Sequence, residues 1–500
     1  MSSLYVNSRN KNEAVSGHMA VIKGLASKGG LYTPVSIPGT VKPEEVVGLS
    51  YQETALKILK VMLDDYSEEE LKECVYGAYD EKFDTEEIVP VAKIEDGYLM
   101  ELWHGPTSAF KDLALTILPR LLTAAYKKEN RSDTVAILTA TSGDTGKAAL
   151  SGFKDVPNTA VTVFYPEIGV SAIQKRQMAT SEGKNVDVIA VKGNFDDCQR
   201  MVKEAVSSEE VLNSCKNVTI SSANSINVGR LVPQIVYYYA TYAKLVERNE
   251  IKCGDAVTFV VPTGNFGDIL AGYLAKQMGL PIKKLVCASN TNNVLTDFLK
   301  TGTYSLDREF HPTMSPSMDI LISSNLERLL FMVSGNDDTL VEELMTKLKE
   351  EGSYTFKEEY MKKIQEDFLG YWTSEEECAS TIRDLYEKEH NLIDPHTAVA
   401  LSAMRAYKKE TNAEEPCVVL STASPYKFGR DVLKCISDIN TDAMDDFEVM
   451  EQLHETTQVK VPENLAGLKN KPIRFTRSIE KEDGMHVIAA RMEEISNENH

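Results

Sequence analysis

The stretch VVPTGNFGDILAGYLAK, residues 260–276, passes from strand to turn to helix. Val260 and Val261 close a β-branched run, Gly264-Asn265-Phe266-Gly267-Asp268 form the turn, and apolar residues at 269, 270, 273 and 274 then recur at helical spacing. Glycines let the backbone turn with its N–H groups pointing inward, and the helix start adds a positive dipole, so a phosphate is the natural ligand of such a loop. A plain strand-to-helix connection has the same appearance, and the loop by itself leaves both readings open. A near echo, GNFDD at 193–197, lacks the second glycine, so its backbone should approach an anion less closely.

The same texture extends outward from this stretch. AVTFVV (256–261) is one of seven short apolar runs, the others being TVAILTA (134–140), TAVTVFY (159–165), VDVIAV (186–191), NVTIS (217–221), KLVCAS (284–289) and CVVLST (417–422). Most are followed by a loop rich in Gly, Ser or Asn and then a helical pattern. Strands that are apolar on both sides must be covered on both sides, which predicts parallel sheets and an α/β fold. The first ninety residues read as helical: YQETALKILKVMLDDY (51–66) and SEEELKECVYGAY (67–79) carry helix-period apolar positions, and the second opens on a Ser-x-x-Glu capping box. The expected organisation is a mainly helical N-terminal region (1–92), a small α/β domain (132–230), and a large α/β domain built from 93–131 plus 231–500 with a helical insertion at about 300–415.

Composition narrows the function. Acidic residues number 75 against 54 basic ones, a net charge of -21, the wrong sign for broad contact with nucleic acid or anionic lipid. The eight cysteines never form a C-x-x-C pair and read as reduced core residues. Neither zinc-type spacing nor an H-E-x-x-H motif occurs, so no catalytic metal is expected. The start MSSLYVNSRNKNEAV lacks an apolar signal region, and no long window is free of charge, which together predict a cytoplasmic protein.

In open parallel sheets ligands bind beyond the carboxyl ends of the strands, which directs attention to three more loops. TATSGDTGKAAL (139–150) ends in Gly-Lys but fails as a nucleotide-binding P-loop, because Thr141 stands where glycine is needed and Ala148 where a Ser or Thr should bind magnesium. Hydroxyls of Thr141, Ser142 and Thr145 at a helix start would hold a carboxylate, or would simply cap the helix. VVLSTASPYKF (418–428) ends a strand with Ser421, Thr422 and Ser424, again as caps or as ligand contacts. HGPTSAFKDLAL (104–115) places Lys111 in a small, apolar segment. A lysine at that spacing is also what an amphipathic helix shows to water.

Taken together and in this order, HGPTSAFKD, TSGDTG, SANSINVGRLVPQ (221–234), VPTGNFGDILAGY, HPTMSPSMDI (311–320) and LSTASPYKF resemble the threonine synthases of the long form seen in fungi and many bacteria, within the fold type II pyridoxal-phosphate enzymes. The likeness covers nearly the whole chain, including YVNSRN and GLYTP (30–34) near its start. It implies pyridoxal 5'-phosphate as cofactor, a Schiff base on Lys111, a phosphate site at Gly264, Asn265, Phe266 and Gly267 with Asp268 beside them, and Thr422 at the pyridine nitrogen. It also implies conversion of O-phospho-L-homoserine and water to L-threonine and phosphate. A lysine beside Phe110 is desolvated, which frees its amine to bond a carbonyl and to act as acid and base. The loop of Thr141, Ser142, Asp144 and Thr145 resembles the site of the substrate's α-carboxylate. Asn224 and Arg230 are candidates for its phosphate, with a structural ion pair as the other reading of Arg230. Ser324 and Arg328 are weaker candidates, since Ser-x-x-Glu at 324–327 reads as a capping box. A phospho-lyase that makes 2-oxobutyrate from O-phosphothreonine would share every cofactor motif, whereas a nucleotide-binding module is disfavoured by the failed P-loop.

Overall fold

The uninterrupted apolar runs are buried on both faces, as their composition requires. Thr134–Ala140, Val257–Pro262 and Cys417–Ser421 are buried at every position. The computed structural model describes residues 4–141, 143–167, 170–205 and 208–498. Along Val257–Pro262 the side chains alternate between two cores: Phe259 and Val261 join Tyr238 and Leu270, whereas Val260 joins Ile382 and Val399. Each such side chain contributes roughly 1.5–3 kcal/mol by leaving water, and the buried Thr258 among them donates its hydroxyl to Glu415 at 2.8 Å.

The strands form two sheets of an α/β fold. The large sheet has six strands in the order Phe368–Trp372, Ile282–Ser289, Val257–Pro262, Cys417–Ser421, Gly97–Glu101, Val91–Ile94. All neighbours are parallel except the last pair. The small sheet has five parallel strands in the order Ser478–Glu480, Val186–Lys192, Thr159–Pro166, Thr134–Ala140, Val218–Ser221. No described helix is long and apolar enough to cross a membrane.

The structure departs from the expected organisation in three places. Residues beyond 470 do not stay with the large lobe: Ser478–Glu480 pairs with Val186–Lys192, and Ile488, Met492 and Ile495 of the following helix pack on Ala136, Leu138 and Val202. The expected capping box of Ser67 with Glu70 forms, as does one of Ser50 with Glu53, but the region also holds an antiparallel sheet of Leu4–Asn7, Asn10–Ser16 and Tyr32–Pro34. The sequence NKNEAVS gives no apolar alternation by which that strand could be read. The helical insertion contributes Phe368–Trp372 to the edge of the large sheet and a second strand pair, Thr303–Ser305 with Ser353–Thr355. Most of the cysteines are buried, but Cys253 is exposed.

Candidate active site

Lys111 is held by the segment between strand Gly97–Glu101 and the one-turn helix Asp112–Leu115. Asp112, itself buried, accepts from the N–H of Thr107 at 2.8 Å and from its hydroxyl at 2.6 Å, which folds the segment back on itself. Burial pushes the Asp112 carboxyl up to about 6. A Cβ on Gly105 would stand 2.5 Å from that of Asp112, so only glycine permits the close approach. The segment is stitched to the end of strand Cys417–Ser421: the Phe110 N–H donates to the Thr422 carbonyl at 2.8 Å and the Ser424 N–H to the Ser108 carbonyl at 3.1 Å. Lys111 therefore faces Thr422 across a fixed gap. Its Nζ lies 5.1 Å from the Phe110 ring centroid and 3.7 Å from Asp144 Oδ2. Burial draws its amine below the ordinary lysine value; Asp144 opposes this, and Lys427 and Arg230 add to it.

The turn after Val257–Pro262 forms the opposite wall. Phe266 adopts a left-handed backbone, φ 59°, and precedes the helix Gly267–Gln277, which starts without a side-chain cap. A Cβ on Gly264 would lie 2.7 Å from the Ser317 carbonyl oxygen. The Asn265 carbonyl accepts from Asn325 through both N–H and Nδ2, at 3.1 and 2.9 Å, and the Gly264 carbonyl accepts from the Ser323 hydroxyl at 2.7 Å. Gly264 and Asn265, with Phe266 and Gly267, line the cavity. Asp268, expected beside the phosphate, is also tied from behind: Tyr237 and Tyr238 donate to its Oδ1 at 2.6 and 3.0 Å, and burial pushes its carboxyl up to about 6. It anchors the helix start to Ile235–Glu247 behind it.

Of the three hydroxyls closing strand Cys417–Ser421, only Thr422 lines the cavity. Ser421 Oγ accepts from Trp103 Nε1 at 3.2 Å and from Thr397 at 3.1 Å, and Ser424 caps the turn Pro425–Phe428. The cavity, of about 190 Å³, brings together Lys111, Thr141, Thr145, Arg230, Gly264 and Thr422. Asn224, Asn265, Phe266, Gly267 and Asp268 line it as well.

Two candidates for substrate contact change their reading. Thr141 lines the cavity, but its Oγ1 accepts from the N–H groups of Gly143 and Gly146, both at 2.9 Å, so its lone pairs hold the loop and only its proton is left for a ligand. Asp144 is an anion and cannot receive a carboxylate: its Oδ1 is 2.5 Å from Lys427 Nζ and accepts from Gln174 Nε2 at 2.9 Å. Burial alone would raise its carboxyl, but Lys427 and Lys111 hold it well below the usual carboxylate range. Ser142 lies outside the described residues.

Arg230 is 2% exposed in the short helix Val228–Leu231. Its Nη1 donates to the Ala223 carbonyl at 2.5 Å, its Nε has no partner, and among the described residues it forms no ion pair. Burial draws its guanidinium down to about 10. Arg328, by contrast, is spent on Tyr32, Asn325 and Ile226. The capping box expected at 324–327 does not form: Asn325 is the cap residue, and Glu327 pairs with Arg9 at 2.7 Å. His104 is held between Asp84 and Glu101, and His311 donates its N–H to Asn292.

The sequence reading missed Lys427, Gln174 and His396. Lys427 carried a signal like that of Lys111, a lysine preceded by a run of small, apolar and hydroxyl residues. His396 lines the cavity, with Nδ1 2.6 Å from Asp394 and Nε2 accepting from the Ser317 N–H at 3.1 Å. That bond braces the turn against which Gly264 packs.

Residues 93–423 match the family model described as pyridoxal-phosphate dependent enzyme, 4–79 that of the threonine synthase N terminus, and 397–488 that of the threonine synthase C-terminal region. The chain is 38% identical to threonine synthase of Pseudomonas aeruginosa over 86% of its own length and 90% of that protein. It is 40% identical to human threonine synthase-like 1 over 84% of its length, and spans 58% of that longer protein. The crystal structure of pyridoxal-phosphate-bound threonine synthase from Brucella melitensis superposes with a TM-score of 0.87 at 34% identity, covering 99% of this chain and 100% of that one.

Proposed function

The chain belongs to the threonine synthases among the pyridoxal-phosphate-dependent enzymes, and from that premise we propose that it converts O-phospho-L-homoserine and water to L-threonine and phosphate. The observation that carries this reading is the meeting, in one cavity, of a desolvated lysine, an uncapped helix start, a neutral hydroxyl and a buried guanidinium with no ion-pair partner among the described residues.

These residues fit pyridoxal phosphate. Gly264 has no room for a Cβ, the helix Gly267–Gln277 has no side-chain cap of its own, and Lys111 offers its amine within the same space. The main chain of Gly264, Asn265, Phe266 and Gly267 would hold the phosphate, Thr422 the pyridine nitrogen and Lys111 the carbonyl carbon. When bound, the cofactor supplies a sink for the electron pair left at the substrate's α carbon.

The protein's own groups do the rest. Lys111 Nζ takes the proton from the α carbon and then from the β carbon as phosphate departs from the γ carbon; protons are then returned to the γ carbon and to the α carbon, and water adds at the β carbon as hydroxide. Thr422, a neutral hydroxyl, does not keep the ring nitrogen protonated as a carboxylate would, which favours elimination over transamination. Thr145 and the start of helix Asp144–Gly152, with the proton of Thr141, receive the substrate's α-carboxylate. Arg230, with Asn224 beside the same cavity, receives its phosphate. We place the reaction in the cytoplasm. The test is to assay the purified protein on phosphohomoserine and on phosphothreonine while measuring phosphate, threonine and 2-oxobutyrate. Threonine and phosphate in equal amounts from phosphohomoserine are expected, and 2-oxobutyrate from phosphothreonine as the main activity would overturn the proposal.

A further inference from the structure

Lys427 forms the most deeply buried ion pair of the cleft, with a side chain 0% exposed. Its Nζ donates to the Thr107 carbonyl at 3.0 Å and stands 2.5 Å from Asp144 Oδ1. The other oxygen of that carboxylate is 3.7 Å from Lys111 Nζ. Asp144 and Gln174 belong to the small lobe, whereas Lys427, Thr107 and Lys111 belong to the large one, so one carboxylate ties the lobes together beside the reacting amine.

A lone carboxylate about 4 Å from a buried amine would hold the amine's proton, raising its pKa by about 1–3. Removing that proton would then leave a bare anion in a dry site, which is costly. Lys427 changes the balance, because it neutralises Asp144 from the far side. With Lys111 deprotonated, what remains is a closed Lys427–Asp144 pair. We propose that Lys427 is a positioning residue for Lys111: by holding Asp144 across the lobe interface, it lets the amine give up its proton inside the cleft. The inference rests on Lys111 being the lysine that bonds the cofactor. The charged groups around the cluster are Asp144 and Lys147 from helix Asp144–Gly152, Asp112 from its one-turn helix, Arg230, and Lys427 itself.

Two substitutions should act in opposite directions, which a loss of packing would not do. In the full-length chain freed of cofactor, the titration midpoint of Lys111 is read from the pH dependence of its acetylation by acetic anhydride, located by peptide mass spectrometry. Lys427→Met should move the midpoint up by about 1 or more, and Asp144→Asn should move it down by a similar amount. Lys427→Arg keeps the charge and should restore most of the wild-type value. The pH at which added pyridoxal phosphate is captured, followed by its visible absorption, should shift in the same senses. An unchanged midpoint in Lys427→Met, or shifts of the same sign in both variants, overturns the proposal. If Lys427→Met fails to fold, as judged by circular dichroism, Asp144→Asn decides alone, and a midpoint that stays or rises is fatal. Retained capture of pyridoxal phosphate by Lys111→Ala would instead refute the role of Lys111, separately from the midpoints, which need no cofactor.

Discussion

Arg230→Met should strengthen the empty protein while crippling it toward its substrate. The guanidinium is 2% exposed and lacks an ion pair among the described residues, so the fold carries a buried charge that no described carboxylate contacts directly. Burial lowers its pKa from 12.5 to about 10, and at ~1.4 kcal/mol per tenfold change in proton affinity this amounts to roughly 3 kcal/mol against the charged form. The hydrogen bond it makes to the Ala223 carbonyl returns about 1.5–3 kcal/mol. Methionine fills a similar volume without the charge, so unfolding by urea of the cofactor-free variant should show stability unchanged or raised by about 1 kcal/mol. Binding runs the other way. Losing a charge-assisted contact to a phosphate dianion costs about 1.5–3 kcal/mol, so kcat/KM for phosphohomoserine should fall roughly ten- to hundredfold. Arg230→Lys should recover only part of this, because it lacks the planar fork. Two results would refute the reasoning. Normal turnover by Arg230→Met would move the substrate's phosphate elsewhere, and a loss of several kcal/mol of stability with it would make Arg230 a structural residue.

Other perturbations probe the same walls. Lys111→Ala should leave a folded chain that no longer fixes pyridoxal phosphate on borohydride reduction; fixation on another lysine contradicts the assignment. Thr422→Asp, which places an anion at the end of strand Cys417–Ser421, should divert turnover toward transamination, and an unchanged product ratio means the contact is wrong. Asp268 tests the pH dependence of stability. Its carboxyl is raised from 3.8 to about 6, so its favourable contribution is complete below 3.8 and is lost as pH rises through 6. Asp268→Asn, which can still accept from Tyr237 and Tyr238, should therefore stabilise the chain by up to roughly 3 kcal/mol at pH 8 and by progressively less toward pH 4. A gain in urea-unfolding stability that is independent of pH would show that the charge is not its source.

The sequence by itself determined the α/β class and the strands at the centre of both sheets, because a strand covered on two sides must be mostly apolar, and Thr134–Ala140 and Val257–Pro262 are, apart from Thr134, Thr139 and Thr258. One helix start was legible for the same kind of local reason: Ser67 with Glu70 completes its bonds within one turn. So was the loop at 264–268, since a strand, two glycines and a helix define their own geometry. What the tertiary structure alone decided were the pairings between distant segments. Ser478–Glu480 is three residues long and has only one buried side chain, so nothing local marks it as a strand until Val186–Lys192 offers an edge to pair with. The charges show this most clearly. Asp144 was expected at the substrate's carboxylate from the resemblance; in the fold Lys427 reaches it from the other lobe, and its second oxygen stands 3.7 Å from Lys111. A charge's role depends on burial and on what lies within about 4 Å, and both are set by packing rather than by sequence neighbours. Arg230 is the converse case, since a structural ion pair was an open reading until the fold left its guanidinium buried without a carboxylate partner among the described residues.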